Sequence, residues 1–274
     1  MKIKFDSVIT KILMIIIISW IVLAIIFGIF DLEISIAVVK EVNYGWGNFG
    51  ADYGEAPGWS LIMIAIAVVS GSLHGHIKKQ KIPAFIIIFI GLMLFLIGIV
   101  DYDEGLIIFG ISIFGPIIAF LALTLNKNYK DYRTIALIIL ILAVINPLIF
   151  VQIVKLIWGR VRFRDLSNNY SNYTPWFIIN GYTGNQSFPS GHTAMAAMFL
   201  PILILVKGRK WKDPIKVIIC ILTIGWILFV GASRVVIGAH YASDVLFSLG
   251  MASIVTILLY KKFYQNAPLK KIQE

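Results

Sequence analysis

Charge is scarce in this chain and cysteine is nearly missing. Of 274 residues only 14% are Asp, Glu, Lys or Arg, and there is a single cysteine. So little charge beside 59% hydrophobic residues excludes an ordinary soluble domain, because the apolar residues fall in long blocks. One cysteine excludes an intramolecular disulfide and offers no thiolate cluster to a metal. Cys220 lies inside an apolar segment and reads as a small buried apolar residue. A cleavable leader is not expected either: the first apolar run, Ile12 to Phe30, is long enough to span a bilayer and lacks a small-residue cleavage site. No soluble domain, internal repeat or low-complexity tract interrupts the pattern.

What is present is a succession of apolar segments. They predict an all-α, polytopic transmembrane bundle forming a single domain, 1–274, with about eight spans: roughly 9–30, 59–75, 84–100, 106–125, 134–154, 190–206, 217–232 and 241–260. Asn146-Pro147 predicts a kink in the fifth, since proline removes a helix hydrogen bond. With both termini inside, the inner segments carry Lys2, Lys4, Lys11, Lys78, Lys79, Lys81, Lys127, Lys130, Arg133, Lys207, Arg209, Lys210, Lys212, Lys216, Lys261, Lys262, Lys270 and Lys271. These are eighteen of the 24 basic residues. The net charge of +10 is therefore mostly topology and needs no nucleic-acid partner. The outer side is acidic (Asp31, Glu33, Glu41, Asp52, Glu55, Asp101, Asp103 and Glu104) except for Lys40, Lys155, Arg160, Arg162, Arg164 and Arg234. Five of those six cations gather around two loops, where an anionic substrate would supply the reason.

Several features read as ordinary membrane-protein furniture. Residues 31–58, with Tyr44, Trp46, Phe49, Tyr53 and Trp59, read as an interfacial helix or aromatic belt in preference to a gate. Asp101-Tyr102-Asp103-Glu104 reads as a solvated turn, since no histidine or further carboxylate is spaced to complete a metal site; no metal and no cofactor is expected. His74 and His76 read as solvated inner-loop residues, and Trp158 and Trp176 as interface anchors. Arg160 and Arg164 are open between a role beside the site and binding of lipid headgroups, and Asp165 is a partner for either.

Chemistry concentrates in three short patterns at outer span ends: Lys155-x6-Arg162, Pro189-Ser190-Gly191-His192, and Ser233-Arg234-x5-His240-x3-Asp244. Pro189, with its fixed φ and no amide hydrogen, suits the first turn of a helix, whose unpaired amides form an anion site. Transfer of a phosphoryl group is catalysed mainly by positioning and charge neutralisation. Lys155, Arg162 and Arg234 supply three cations for phosphate oxygens, and the amides at Ser190 and Gly191 add neutral donors. The i,i+4 spacing puts Asp244 on the helix face of His240, where it fixes the tautomer and leaves the other ring nitrogen free to attack phosphorus. His192 has no acid in reach by sequence and is the candidate for protonating the leaving oxygen.

These residues resemble the type 2 phosphatidic acid phosphatase (PAP2) superfamily, whose bacterial members include membrane lipid phosphatases. The resemblance covers about Lys155 to Asp244. It implies a six-helix phosphatase core at about 134–260, with the N-terminal spans in 1–125 partly an addition. It also implies a phosphate clamp of Lys155, Arg162 and Arg234, oxyanion donors at Ser190 and Gly191, a general acid at His192, and a nucleophile at His240 oriented by Asp244. The implied reaction is metal-independent hydrolysis of a membrane lipid phosphate through a phosphohistidine. Phe163 departs from the family pattern, which has proline after the arginine. Undecaprenyl diphosphate is the favoured substrate, ahead of phosphatidylglycerophosphate and phosphatidic acid, with the site on the outer face of the plasma membrane. A lipid phosphotransferase is the alternative within the same chemistry, and a non-catalytic lipid-phosphate binder or transporter the alternative outside it. A vanadium haloperoxidase shares the motif pattern, but eight spans argue against it. The Ile- and Lys-heavy composition hints at an AT-rich bacterial source.

Overall fold

The computed structural model describes residues 7–39 and 45–265, and every regular element among them is helical. Lys2, Lys4, Lys40, Glu41, Tyr44, Lys270 and Lys271 lie outside the described residues. The helices are α1 (Ser7–Val38), α2 (Gly45–Tyr53), α3 (Ala56–Gly71), α4 (Ile82–Asp101), α5 (Glu104–Thr124), α6 (Arg133–Ala143), α7 (Val151–Trp158), α8 (Gly191–Ala196), α9 (Ile202–Val206), α10 (Pro214–Val236) and α11 (Ala242–Tyr260). Among the described residues seven helical stretches are long and apolar enough to cross a membrane: Val8–Val38, Gly45–Gly71, Lys79–Asp101, Glu104–Thr124, Tyr129–Asp165, Pro214–Val236 and Ala242–Gln265. The protein is thus a polytopic helical bundle. The span expected at 190–206 is shorter, Gly191–Val206, and it is broken. A 3-10 turn at Ala197–Phe199 ends α8, and Pro201, with no amide hydrogen, starts α9. At 146–147 the expected irregularity takes the form of a π-helical segment, Val144–Phe150, between α6 and α7.

Apolar side chains such as Ile15, Ile25 and Ile29 of α1 are more than half exposed, as suits a helix solvated by lipid. The core is built from small and flexible groups. Ala194, Met195, Ala196, Ala197 and Met198 are buried at its centre, surrounded by α3, α6, α10 and α11. Helices come this close through glycine. A methyl group at Gly110 of α5 would lie 2.5 Å from the Phe95 amide nitrogen of α4, and one at Gly98 2.7 Å from that of Ile107. Pro116 leaves the Ser112 carbonyl of α5 without its helical donor, and the Ser60 hydroxyl of α3 donates to it at 2.5 Å.

Residues 45–58 are not the free-standing interfacial belt that the sequence suggests. Gly50 lies against Ser233 and Gly54 against Val230 of α10, while Gly58 lies against the Met195 backbone beside α8. Trp46 and Phe49 also spend their rings on α10, packing against Phe229 at 5.9 and 6.2 Å. This seating holds Ala51 and Glu55 close to α8.

The 32 positions between α7 and α8 are irregular apart from a 3-10 turn at Phe163–Asp165, but firmly tied. Gly159 ends α7 with φ +54°, and a side chain there would collide with the Gly181 carbonyl. Asn180 and Thr183 donate to the Trp158 and Gly159 carbonyls, so the helix end is satisfied. The turn aims Arg160 inward. Its guanidinium is fully buried, donating to Asp31 of α1 at 3.1 Å and to Asp244 of α11 at 2.7 Å. It is not a headgroup-binding surface charge. Trp158 donates to the Trp176 carbonyl and Trp176 to the Ala24 carbonyl, so these rings lock the loop onto α1 instead of anchoring a surface. Cys220 is half-buried, His74 and His76 are exposed, and Asp165 pairs with Arg164 at 3.9 Å, not with Arg160.

Two outcomes follow from this packing. Gly110→Val should destabilise the protein by about 1–3 kcal/mol through overpacking, whereas Gly115→Val, which meets open space, should be close to neutral in thermal unfolding in detergent. Asp31→Ala, 129 positions from Arg160, should lower stability by roughly 3–5 kcal/mol by removing one of a buried cation's two carboxylate partners. The exposed Asp52→Ala serves as the control and should change stability by no more than about 0.5 kcal/mol.

Candidate active site

One end of the bundle gathers the three sequence patterns. His240 lies in the turn between α10 and α11, its amide bonded to the Arg234 carbonyl at 3.1 Å. Asp244, in the first turn of α11, faces its Nδ1 at 3.4 Å. The other Asp244 contacts fix the carboxylate in place: Ser187 Oγ donates at 2.5 Å, the Tyr241 amide at 2.9 Å and Arg160 at 2.7 Å. A carboxylate accepting this many hydrogen bonds is held charged and cannot rotate away from the imidazole. Burial, opposed by Asp244, pushes His240 down to about 4, so the ring is neutral at pH 7. Among the described residues its Nε2 has no hydrogen-bond partner, which leaves that lone pair available.

Around it stand cations without carboxylate partners. Lys155, Arg162 and Arg234 lie within one another's electrostatic reach, and no ion pair forms at any of them among the described residues. Arg162 Nε and Arg234 Nε are shielded from solvent and meet no protein acceptor. Buried guanidinium donors left unpaired are costly unless an anion completes them. Gly191 borders this space: a methyl group there would sit 3.5 Å from Lys155 Nζ, an ordinary contact distance. Phe163, where the family pattern has proline, stacks on Tyr170 at 5.9 Å and meets Tyr241 edge-on, and the Arg164 amide ties the loop to the Gly238 carbonyl at 3.0 Å.

The Pro189–His192 pattern is placed differently from the sequence expectation. Pro189 precedes α8 and is not in its first turn; Ser190 is the N-cap, its hydroxyl accepting from the Thr193 amide. The Ser190 amide, expected among the phosphate donors, donates to the Asp244 carbonyl at 3.0 Å. Its carbonyl accepts from Ser248 Oγ at 2.7 Å, so Ser190 joins α8 to α11. Gly191 and His192 follow as the first helical residues. His192 does have an acid. Glu55, at the junction of α2 and α3, meets its Nδ1 at 2.8 Å, and the Ala51 carbonyl lies 2.9 Å from its Nε2.

Sequence reasoning therefore missed Glu55, Asp31, Ser187 and Ser243, and left Arg160 open. Asp31 accepts from the Ser243 amide at 3.0 Å and from the Ser243 hydroxyl, and Ser243 also accepts from Arg160 at 2.8 Å. Tyr241 covers the Arg160 guanidinium at 3.9 Å, with Tyr173 at 5.7 Å; burial pushes Tyr173 up to about 12 and Tyr241 higher still, so both stay neutral. The glycine spacing at 47, 50, 54 and 58 was the available signal that the helix carrying Glu55 packs against the core.

An apolar groove of about 420 Å³ runs from this end into the bundle side. Glu55 and Gly191 form its mouth, and Trp59, Ile62 and Ile66 of α3 face Leu140, Ala143 and the π-helical Val144, Pro147 and Leu148. The walls are apolar except for Gln152, and Glu55 at the mouth is the residue that pairs with His192.

The geometry agrees with comparisons to known proteins. Residues 136–268 match the PAP2 superfamily. The lipid A 1-phosphatase of Rhizobium etli is 31% identical over 109 residues, 38% of this chain and 41% of that protein. The phosphatidylglycerophosphatase B of Bacillus subtilis is 41% identical over 81 residues, 28% of this chain and 40% of that protein. The matched stretches thus span about two fifths of the length of these relatives. No solved structure gives a significant match. The stretch that matches the PAP2 superfamily, residues 136–268, contains Lys155, Arg162, the Pro189–His192 turn, Arg234, His240 and Asp244.

Proposed function

We propose that the protein is an integral-membrane lipid phosphate phosphatase working through a phosphohistidine at His240. The observation that carries this reading is a neutral His240 whose Nε2 has no hydrogen-bond partner among the described residues, beside three cations that form no ion pair among those residues. In the proposed reaction Lys155, Arg162 and Arg234 neutralise the phosphoryl oxygens, and the Gly191 side of the α8 turn gives the group room to sit. His240 Nε2 forms the bond to phosphorus as the bond from phosphorus to the leaving oxygen breaks, and His192 gives that oxygen its proton. Asp244 holds the Nδ1 proton of His240 and stabilises the positive charge that develops on the ring. Water then attacks the phosphohistidine, losing a proton to His192, and inorganic phosphate and neutral His240 are released. All groups in this sequence belong to the chain, and no metal is required for any step.

The groove between α3 and α6–α7 supports a lipid substrate whose tail lies between helices while its phosphate reaches the clamp. Undecaprenyl diphosphate is the favoured substrate; the names of the two relatives add lipid A and phosphatidylglycerophosphate to the substrates worth testing, beside phosphatidic acid. The proposed placement is the plasma membrane with both termini inside and the site at the outer face. It is supported by the exposed Lys78, Lys79, Lys127 and Lys210, which occupy loops joining the helix ends remote from His240. The domain is proposed to be single, with α1–α3 completing the site and not appended to it.

Purified protein in detergent should release phosphate from at least one of these lipids in the presence of EDTA, and His240→Ala should abolish release. His192→Ala should lower it by about 10²–10⁴-fold, the usual worth of a general acid. Folded wild-type protein that releases no phosphate from any of them would exclude the hydrolase and leave the phosphotransferase or the binder. The pH dependence carries a sign. Attack needs neutral His240, so kcat/KM, corrected for substrate ionisation, should hold as pH falls from 7 to 5 and drop only as pH passes through about 4. An acid limb centred near the ordinary histidine value would contradict the buried-nucleophile assignment.

A further inference from the structure

The helix that carries Glu55 lies outside residues 136–268, yet it meets both nitrogens of one site histidine. We infer that Glu55 is the positioning carboxylate of His192, the counterpart of Asp244 at His240, and that it sets His192 up to protonate the lipid alcohol as it leaves. The inference rests on the phosphatase reading above.

Three observations carry it. First, the two acceptors differ in kind. Glu55 Oε1 is a charged acceptor 2.8 Å from Nδ1, and the Ala51 carbonyl a neutral one 2.9 Å from Nε2. Only the protonated ring can donate to both; a neutral ring satisfies one. The weaker neutral contact is the one a substrate oxygen can replace, so Nε2–H is the proton that is delivered. Second, Glu55 is held where it is by its helix. Gly54 against Val230 and Gly58 against the Met195 backbone leave the segment no room to shift sideways, so the backbone that carries the carboxylate is fixed. Third, the direction is right. Glu55 and Gly191 form the mouth of the apolar groove, so a lipid whose tail lies there brings its head group to the Glu55–His192 pair.

The proton balance closes. Nε2–H passes to the leaving oxygen as the bond from that oxygen to phosphorus breaks, and the neutral ring keeps Nδ1–H on Glu55. That tautomer presents the Nε2 lone pair to the incoming water. Nε2 takes the water's proton as the new oxygen–phosphorus bond forms and the bond to His240 breaks, which restores the starting state. Without Glu55 the ring is free to carry its remaining proton on either nitrogen, and half of that sequence loses its geometry.

The test compares leaving groups. An alkyl phosphomonoester needs its oxygen protonated, while an activated aryl phosphate leaves without help. Glu55→Gln should lower kcat/KM, which reports the steps up to loss of the leaving group, by about 10–100-fold for a soluble short-chain lipid phosphate and by less than about threefold for 4-nitrophenyl phosphate. His192→Ala should show the same split, and adding Glu55→Gln to it should cost nothing further, since both changes remove one function. Equal losses on both substrates, no loss on either, or losses that multiply in the double variant would each overturn the inference. Should Glu55→Gln fail to fold, as judged by size-exclusion in detergent, Glu55→Asp is read by the same ratio. The two readings separate cleanly: inactivity of the wild type, or activity that survives His240→Ala, strikes the phosphatase assignment, whereas a missing leaving-group split strikes Glu55 alone.

Discussion

A guanidinium with no access to water must find charge and acceptors inside the protein, and Arg160 finds all of them by drawing together three distant pieces of chain. Asp31 comes from the first helix, Asp244 and Ser243 from the last, and the Thr174 carbonyl from the long loop between α7 and α8. Desolvating a cation costs several kcal/mol, so no partial arrangement is stable; the site end is assembled as a unit or left open. Asp244 in turn holds Ser187, the Tyr241 amide and His240. The orientation of the proposed nucleophile thus traces back to a residue that itself contacts no part of the imidazole.

That arrangement also explains which parts were legible in sequence. His240 and Asp244 could be paired because four residues on one helix fix their relation. Lys155, Arg162 and Arg234 stood out because they broke the charge pattern of the membrane. Asp31 and Glu55 broke nothing: an acidic residue on the outer side is the default, and each meets its partner across more than a hundred positions. Arg160 stood next to the clamp and shared its sign, yet its neighbour Gly159 turns it the opposite way, into the core. A positive φ at one glycine separates a scaffold cation from a ligand cation, and spacing alone does not record it.

The helical bundle was the more readable half, because hydropathy over some twenty residues is a sum that single exceptions barely alter. Where reading went astray, a local rule was overridden by contact. Residues 45–58 look amphipathic and aromatic, but their glycines let them lie on α10. The segment after Pro189 is apolar for long enough to cross, but Pro201 and a 3-10 turn divide it. Pro116 looks like a defect in α5 until Ser60 is seen to supply the missing hydrogen bond.

The length of α1 sets the order in which this protein is completed. Asp31 lies about 36 Å along the helix from Ser7 at 1.5 Å per residue, beyond the ~30 Å of hydrocarbon, so after insertion its carboxylate can rest in the headgroup layer. Its partners are synthesised 129 and 212 positions later. Through most of translation the chain therefore holds an acid in waiting at the membrane surface, and closure around Arg160 can only be a late event. A nascent or truncated chain would carry Lys155 and Arg162 without a rigid arrangement around them, so the proposed phosphate site would be complete only with the final helix.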